Sequence, residues 1–251
     1  MLELKGKGAL IVGAKRIGQG VALRLSQEGV NIAIGYRTSK EEAQALCEKV
    51  SANTERACVV QGDVAIEADV ERMVGEASLK LGGGLFFVVD LASQFAWTPV
   101  RALDAAAWDT AMAEAKGSYL LAVHAARAMM KNPGPTRGHI IFFGDAAAGE
   151  HPYDNYLPYL TSKAAIQFMT RAFAVELGAH GILVNAIAPG PTIRPADIGA
   201  QDWEKRVIAS TPLKRESSVE DIAEMVVTLL KSETITGECV RIDAGSHLAS
   251  G

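Results

Sequence analysis

The sequence predicts one α/β domain built on a doubly wound, seven-stranded parallel sheet. Three observations predict it. Short apolar runs alternate with longer amphipathic segments along the whole chain. The runs are nearly continuous in hydrophobicity, as strands covered on both faces must be. No linker, repeat or low-complexity tract divides the 251 residues, so 1–251 reads as a single domain of a size that one α/β unit accommodates.

The elements follow in order. Residues 9–12 form the first apolar run, followed by a glycine-rich turn and a helical segment at 19–28 carrying Val21, Leu23 and Leu25, with Gly29 as its stop. Residues 30–34 form the second run. Residues 39–51 read as a helix with Ser39 as cap and Glu42 at capping-box spacing. The runs 57–60, 85–89 and 139–143 are each followed by a helical pattern, at 67–81, 104–131 and 156–179. The run 183–187 leads into 189–212, which has no clear periodicity and contains Pro189, Gly190, Pro191 and Pro195. So long a loop in a compact domain reads as a substrate lid. A helix at 219–231 and a last strand at 239–242 complete the chain. Strand–helix alternation repeated this often means right-handed βαβ units.

Composition narrows the class. The chain is 49% hydrophobic and 22% charged, enough to bury a sizeable core. A net charge of -4 without a Lys/Arg block argues against nucleic acid or an anionic membrane as partner. Cys47, Cys58 and Cys239 are far apart, with no C-x-x-C pair or His/Cys cluster, so no metal site is expected and the thiols read as reduced, small buried hydrophobes. Residues 1–8 lack an apolar run of signal length. No stretch approaches the roughly 20 apolar residues of a membrane span. A cytoplasmic protein is expected.

The first turn reads Gly13-Ala14-Lys15-Arg16-Ile17-Gly18-Gln19-Gly20. Glycines between a strand and a helix let the backbone approach a pyrophosphate, and the helix start offers free N–H groups and a positive dipole end. This is the context of a Rossmann-type dinucleotide site. The second strand ends in Tyr36-Arg37-Thr38-Ser39, with no acid where an NAD site places one for the ribose hydroxyls. Arg37, with the Thr38 and Ser39 hydroxyls, suits a 2′-phosphate instead, and Lys15 and Arg16 lie within reach of it. NADP(H) is therefore the expected cofactor.

Tyr159 and Lys163 stand one helical turn apart in a segment of helical pattern, so phenol and ammonium share a face. A nearby cation lowers a phenol's pKa from about 10 by about 1 to 3 units. Such a tyrosine can protonate a carbonyl oxygen as a hydride reaches the carbon, or run the reverse.

With these motifs the chain resembles a short-chain dehydrogenase/reductase over nearly its full length. The matching features are the Gly13–Gly18 turn, Gly62-Asp63-Val64, Leu91-Ala92-Ser93, Tyr159 with Lys163, Asn185-Ala186-Ile187-Ala188-Pro189-Gly190, and Thr236-Gly237-Glu238 before the last strand. By that resemblance Asp63 and Val64 contact the adenine. Lys163 binds the nicotinamide ribose and tunes Tyr159. Leu91, Ala92, Ser93, Pro189, Gly190 and Thr192 belong to the cofactor site, the last three bordering the nicotinamide. Lys15-Arg16-Ile17-Gly18, Tyr36-Arg37-Thr38 and Ala92-Ser93-Gln94-Phe95 look most like pteridine and dihydrofolate reductases; the 3-oxoacyl-carrier-protein reductases are also similar.

The pattern breaks at several positions. Val12 directly precedes Gly13, and Asp90-Leu91 replaces an Asn-Asn pair. The family's catalytic serine position, thirteen residues before Tyr159, holds Ala146. Asp145 stands just before it, and the pteridine reductases use an Asp in that role. Glu114 takes the place of an assisting Asn. It either orients Lys163, carries a proton relay, or simply pairs with the ammonium and weakens its pull on Tyr159.

The resemblance implies an NADPH-dependent reductase of a small carbonyl or pterin-like substrate. A 3-oxoacyl thioester is one alternative, and an NADP(H)-binding protein with little catalysis, a sensor or scaffold, is another. Phe95, Trp97 and Tyr153 offer stacking surface for a flat ring. Members are usually homotetramers, and 219–230 and 239–248 are apolar enough for an interface.

Overall fold

The computed structural model describes residues 1–82, 84–149, 151–195 and 198–249. Its strands are β1 (Gly8–Val12), β2 (Asn31–Tyr36), β3 (Ala57–Gln61), β4 (Leu85–Asp90), β5 (Gly138–Phe143), β6 (Ile182–Pro189) and β7 (Cys239–Ile242). They form one parallel sheet in the order β3-β2-β1-β4-β5-β6-β7. The chain direction across the sheet reverses between β1 and β4. Ligands of open α/β sheets bind outside the strand ends at such a point.

The helices are α1 (Ile17–Gln27), α2 (Lys40–Val50), α3 (Glu67–Leu81), α4 (Ala105–Met129), α5 (Leu157–Gly178), the short α6 (Ala200–Asp202) and α7 (Val219–Lys231). One face of the sheet carries α3, α4 and α5, whose Met73, Leu121 and Ile166 pack with Leu10, Ile140 and Phe142. The other carries α1, α2 and α7, whose Val21, Leu46 and Val226 pack with Ile11, Ile34 and Ile141. Alternate side chains of a strand point to opposite faces. Leu10 and Ile11 thus belong to different cores, and both faces demand apolar residues. Each such side chain is worth about 1.5–3 kcal/mol when fully buried.

Local signals set the helix ends. Asp104 caps α4 by accepting from Ala107 N at 2.8 Å, and Ser218 caps α7 by accepting from Asp221 N at 2.8 Å. Pro158 lies in the first turn of α5, where its missing N–H costs no bond. The expected box at α2 does not form. Ser39 makes no side-chain cap bond, and Glu42 pairs with Lys15 at 2.9 Å instead. The helix after the glycine turn starts at Ile17, two residues earlier than the apolar pattern alone suggests.

The 189–212 segment has more structure than its composition suggests. β6 runs on to Pro189, and α6 continues through a π turn (Trp203–Val207) and a 3-10 turn (Ile208–Ser210). Trp203 and Ile208 are buried and anchor it. Residues 196–197 of this segment lie outside the described residues. Cys47, Cys58 and Cys239 are free and partly buried. Among the described residues no helix is long and apolar enough to cross a membrane.

Candidate active site

The turns after β1 and β4 meet backbone to backbone. Gly13 has φ +85°, and a Cβ there would lie 2.6 Å from the Leu91 carbonyl carbon and 2.7 Å from Ala92 N. Leu91 N donates to Val12 O at 2.8 Å. Only glycine meets both the left-handed conformation and the close approach. No side chain caps α1; Gly18 N donates to Lys15 O at 3.0 Å, and the helix start still presents its positive dipole end to an anion. Arg16 adopts φ 54° just before the helix and donates to Ile193 O at 3.2 Å, joining the turn to the segment after β6.

The ends of β2 and β3 form the far side. Tyr36, Arg37 and Thr38 border the cleft there with Asp63 and Val64. The three cations expected at the 2′-phosphate each have a protein partner. Arg37 Nη1 lies 3.6 Å from Asp63 Oδ2, Lys15 holds Glu42, and Arg16 holds the Ile193 carbonyl. Exposed pairs of this kind are worth about 0–1 kcal/mol, so a phosphate competes with them readily.

Tyr159 and Lys163 project from one face of α5 and are both buried. Lys163 Nζ lies 2.6 Å from Glu114 Oε1, donates to Phe143 O at 3.0 Å and sits 5.7 Å from the Tyr159 ring centroid. The other Glu114 oxygen accepts from Gln94 N at 3.0 Å. The Tyr159 hydroxyl donates to Asp145 Oδ2 at 2.9 Å. Asp145 Oδ1 accepts from Ala147 N at 2.8 Å, and Gln167 Nε2 holds the Asp145 main-chain carbonyl at 2.8 Å.

This corrects one expectation. The ammonium does not draw the phenol down. Burial first, then the Asp145 carboxylate, push Tyr159 well above its ordinary value of 10.0. Of the three readings of Glu114, ion pairing with Lys163 is the arrangement present. Asp145, one residue ahead of Ala146, reaches the tyrosine. Beneath them Asp90 is fully buried, accepting from Ser118 Oγ at 2.6 Å and Ala92 N at 3.1 Å. Burial raises its carboxyl to about 6.

Leu91, Ala92, Ser93, Pro189, Gly190 and Thr192 line the space between the glycine turn and Tyr159. A Cβ on Gly190 would come within 2.5 Å of Asp243 Cβ, so the backbone there packs directly on the turn after β7. The residues singled out from the sequence for the cofactor and the chemistry border one cleft of about 950 Å³, with two exceptions: Gly18 is buried behind the turn, where a Cβ would lie 2.3 Å from Gly13 O, and the exposed Trp97 does not line the cleft.

Comparison with known proteins decides the family. A family model described as enoyl-(acyl carrier protein) reductase matches residues 12–247. The chain belongs to the short-chain dehydrogenase/reductase family. Its relatives include the Staphylococcus aureus 3-oxoacyl-[acyl-carrier-protein] reductase FabG, 29% identical over 96% of this chain and 98% of that protein. The hydroxynaphthalene reductase-like protein Arp2 of Metarhizium brunneum is 29% identical over 97% and 96%. Among solved structures, FolM alternative dihydrofolate reductase 1 of Brucella canis, complexed with NADP, is 31% identical at a TM-score of 0.87 over 99% and 97% of the two chains. A Burkholderia cenocepacia short chain dehydrogenase in complex with NADP is 29% identical at 0.88 over 98% and 99%.

This short-chain dehydrogenase/reductase carries a feature the motifs do not reveal. Tyr153 donates to the same Asp145 oxygen as Tyr159, at 3.0 Å. Phe95 stacks on Tyr156 at 4.3 Å and 24° and meets the Tyr159 ring edge-on at 5.1 Å and 86°. Thr98 N donates to Asn155 O at 2.6 Å, tying the two loops that supply these rings. The sequence marked Phe95 and Tyr153 as aromatic surface, but of their grouping with Tyr159 it shows only the three-residue spacing of Tyr153, Tyr156 and Tyr159. It looks helical, yet α5 begins after Tyr156.

Proposed function

We propose that the protein is an NADPH-dependent reductase of a small carbonyl or pterin-like substrate. One observation carries the reading: the Tyr159 hydroxyl, held by Asp145 at 2.9 Å, borders the same cleft as the glycine turn and Arg37. The cleft suits a dinucleotide. Its volume of about 950 Å³ spans both ends, and Gly13 leaves no side chain between the β1 and β4 turns. The NADP bound in the Brucella and Burkholderia structures supports the same assignment.

Gly13, Ile17 and Gly18 would hold the pyrophosphate, and Tyr36, Arg37 and Thr38, with Lys15 and Arg16 in reach, the 2′-phosphate. Asp63 and Val64 would hold the adenine. Leu91, Ala92, Ser93, Pro189, Gly190, Thr192 and Lys163 would hold the nicotinamide end. When bound, the cofactor supplies the hydride. Tyr159 keeps its proton at neutral pH, because burial and Asp145 disfavour the phenolate. It is thus set to donate a proton to a substrate oxygen. Asp145 aims the phenol, Glu114 holds Lys163, and the 189–212 segment covers the substrate.

The ring group around Phe95 favours a flat conjugated substrate over an acyl chain, since aromatic faces stack on planar rings. The test is NADPH and NADH oxidation over a panel of a diketone, a quinonoid dihydropterin and an acetoacetyl thioester. Turnover with NADPH on the diketone or the pterin is expected. Tight NADPH binding without turnover on any of the three would overturn the reading. A homotetramer through α7 and β7 is the assembly proposed; light scattering that gives a monomer would exclude it.

A further inference from the structure

We propose that Tyr153 is a positioning residue of the reaction: a second phenol that holds the Asp145 carboxylate while Tyr159 turns its hydrogen to the substrate. The inference rests on the reading of Tyr159 as proton donor.

The geometry sets the problem. Asp145 Oδ2 accepts both phenols, from Tyr159 at 2.9 Å and from Tyr153 at 3.0 Å. A hydroxyl has one hydrogen. Tyr159 can face a substrate oxygen only by giving up its bond to Asp145. A carboxylate that loses a donor in a partly buried site either turns or recruits another donor. With Tyr153 in place, Asp145 keeps two donors throughout, the second phenol on Oδ2 and Ala147 N on Oδ1 at 2.8 Å. Its aim at Tyr159 then survives the transfer, and it stays placed to take the phenol's hydrogen bond back.

Tyr153 is itself held. Its ring meets Tyr156 edge-on at 5.1 Å and 79° and lies 6.3 Å from Phe95. Thr98 N to Asn155 O pins the 151–156 loop to the loop after β4 at 2.6 Å. The residue is partly exposed, but its hydroxyl points inward at the carboxylate. Lys163 does not substitute for it, because Glu114 and the Phe143 carbonyl hold that ammonium.

The experiment uses the full chain with tyrosines labelled with carbon-13 at Cζ, of which there are 5. Tyr153→Phe keeps the ring and removes only the hydroxyl. It should delete one resonance and shift that of Tyr159. Asp145→Asn should shift both Tyr153 and Tyr159. Adding Tyr153→Phe to Asp145→Asn should then leave Tyr159 where it was. A Tyr159 resonance unmoved by Tyr153→Phe, or moved equally in both backgrounds, overturns the proposal. In NADPH-dependent reduction of a diketone, Tyr153→Phe should lower kcat about tenfold, the loss of one hydrogen bond to a charged group. KM for NADPH should hold, and Asp145→Asn should abolish the effect. An unchanged kcat overturns the positioning role. If the unmodified protein turns over none of the panel, the reductase reading fails, while the resonances still decide whether Tyr153 holds Asp145.

Discussion

Lys163 is neutralised by Glu114, 2.6 Å away, directly behind the Tyr159 ring. The ammonium can hold a ribose hydroxyl, but its pull on the phenol is largely cancelled by the carboxylate. Burial first, then Asp145, with Glu114 a smaller contributor, hold Tyr159 well above its ordinary value, which favours proton donation over proton abstraction.

Glu114→Gln should therefore bring the Tyr159 pKa down, since Glu114 is one of the charges that raise it. Ultraviolet titration of tyrosinate reads the shift. The same change should cost about 3 kcal/mol of stability, because it leaves a buried ammonium without its counter-charge. An unshifted tyrosine would mean that Glu114 does not govern the phenol.

Asp90→Asn should stabilise the protein at neutral pH. Asp90 has a folded-state pKa raised to about 6 from 3.8. Between those values the folded chain holds a proton that the unfolded chain has released, so Asp90 weakens the fold as pH rises through the window. The penalty is complete above about pH 6. Urea unfolding should show the variant more stable by about 1–3 kcal/mol at pH 7, with the advantage gone near pH 4.

Arg37→Ala should weaken NADPH binding about 10- to 100-fold, as one charge-assisted contact to a phosphate is lost. NADH binding should stay within about twofold. The exposed Asp63 pair that Arg37 leaves behind is too weak to offset this. Fluorescence titration with both coenzymes separates the outcomes.

Gly13→Ala should lower both Tm and NADPH affinity. The φ of +85° is unfavourable for a residue with a Cβ by about 1–2 kcal/mol. The clash with Leu91 adds about 1–3 kcal/mol. Ala at Gly75, where a Cβ meets nothing within 4 Å, is the matched control for the clash.

The sheet was legible because both of its faces are buried: Leu10 and Ile11 enter different cores, so β1 had to be apolar throughout. Tyr159 and Lys163 were legible because helical spacing alone puts them on one face. The partners were not. The Glu114–Lys163 pair depends on how α4 packs on α5, and no spacing within either helix encodes it. Tyr153 reaches Asp145 across an irregular loop whose path follows from the Thr98–Asn155 bond. The Ser39 box failed because Lys15, distant in sequence, takes up Glu42.

The most direct measurement is single-turnover NADPH oxidation by Tyr159→Phe against the unmodified protein, with a diketone or quinonoid pterin as acceptor. The predicted result is a rate at least about 100-fold lower, with NADPH affinity within about twofold. Equal rates would show that the proton comes from elsewhere and that the Tyr159–Asp145 pair is not the donor.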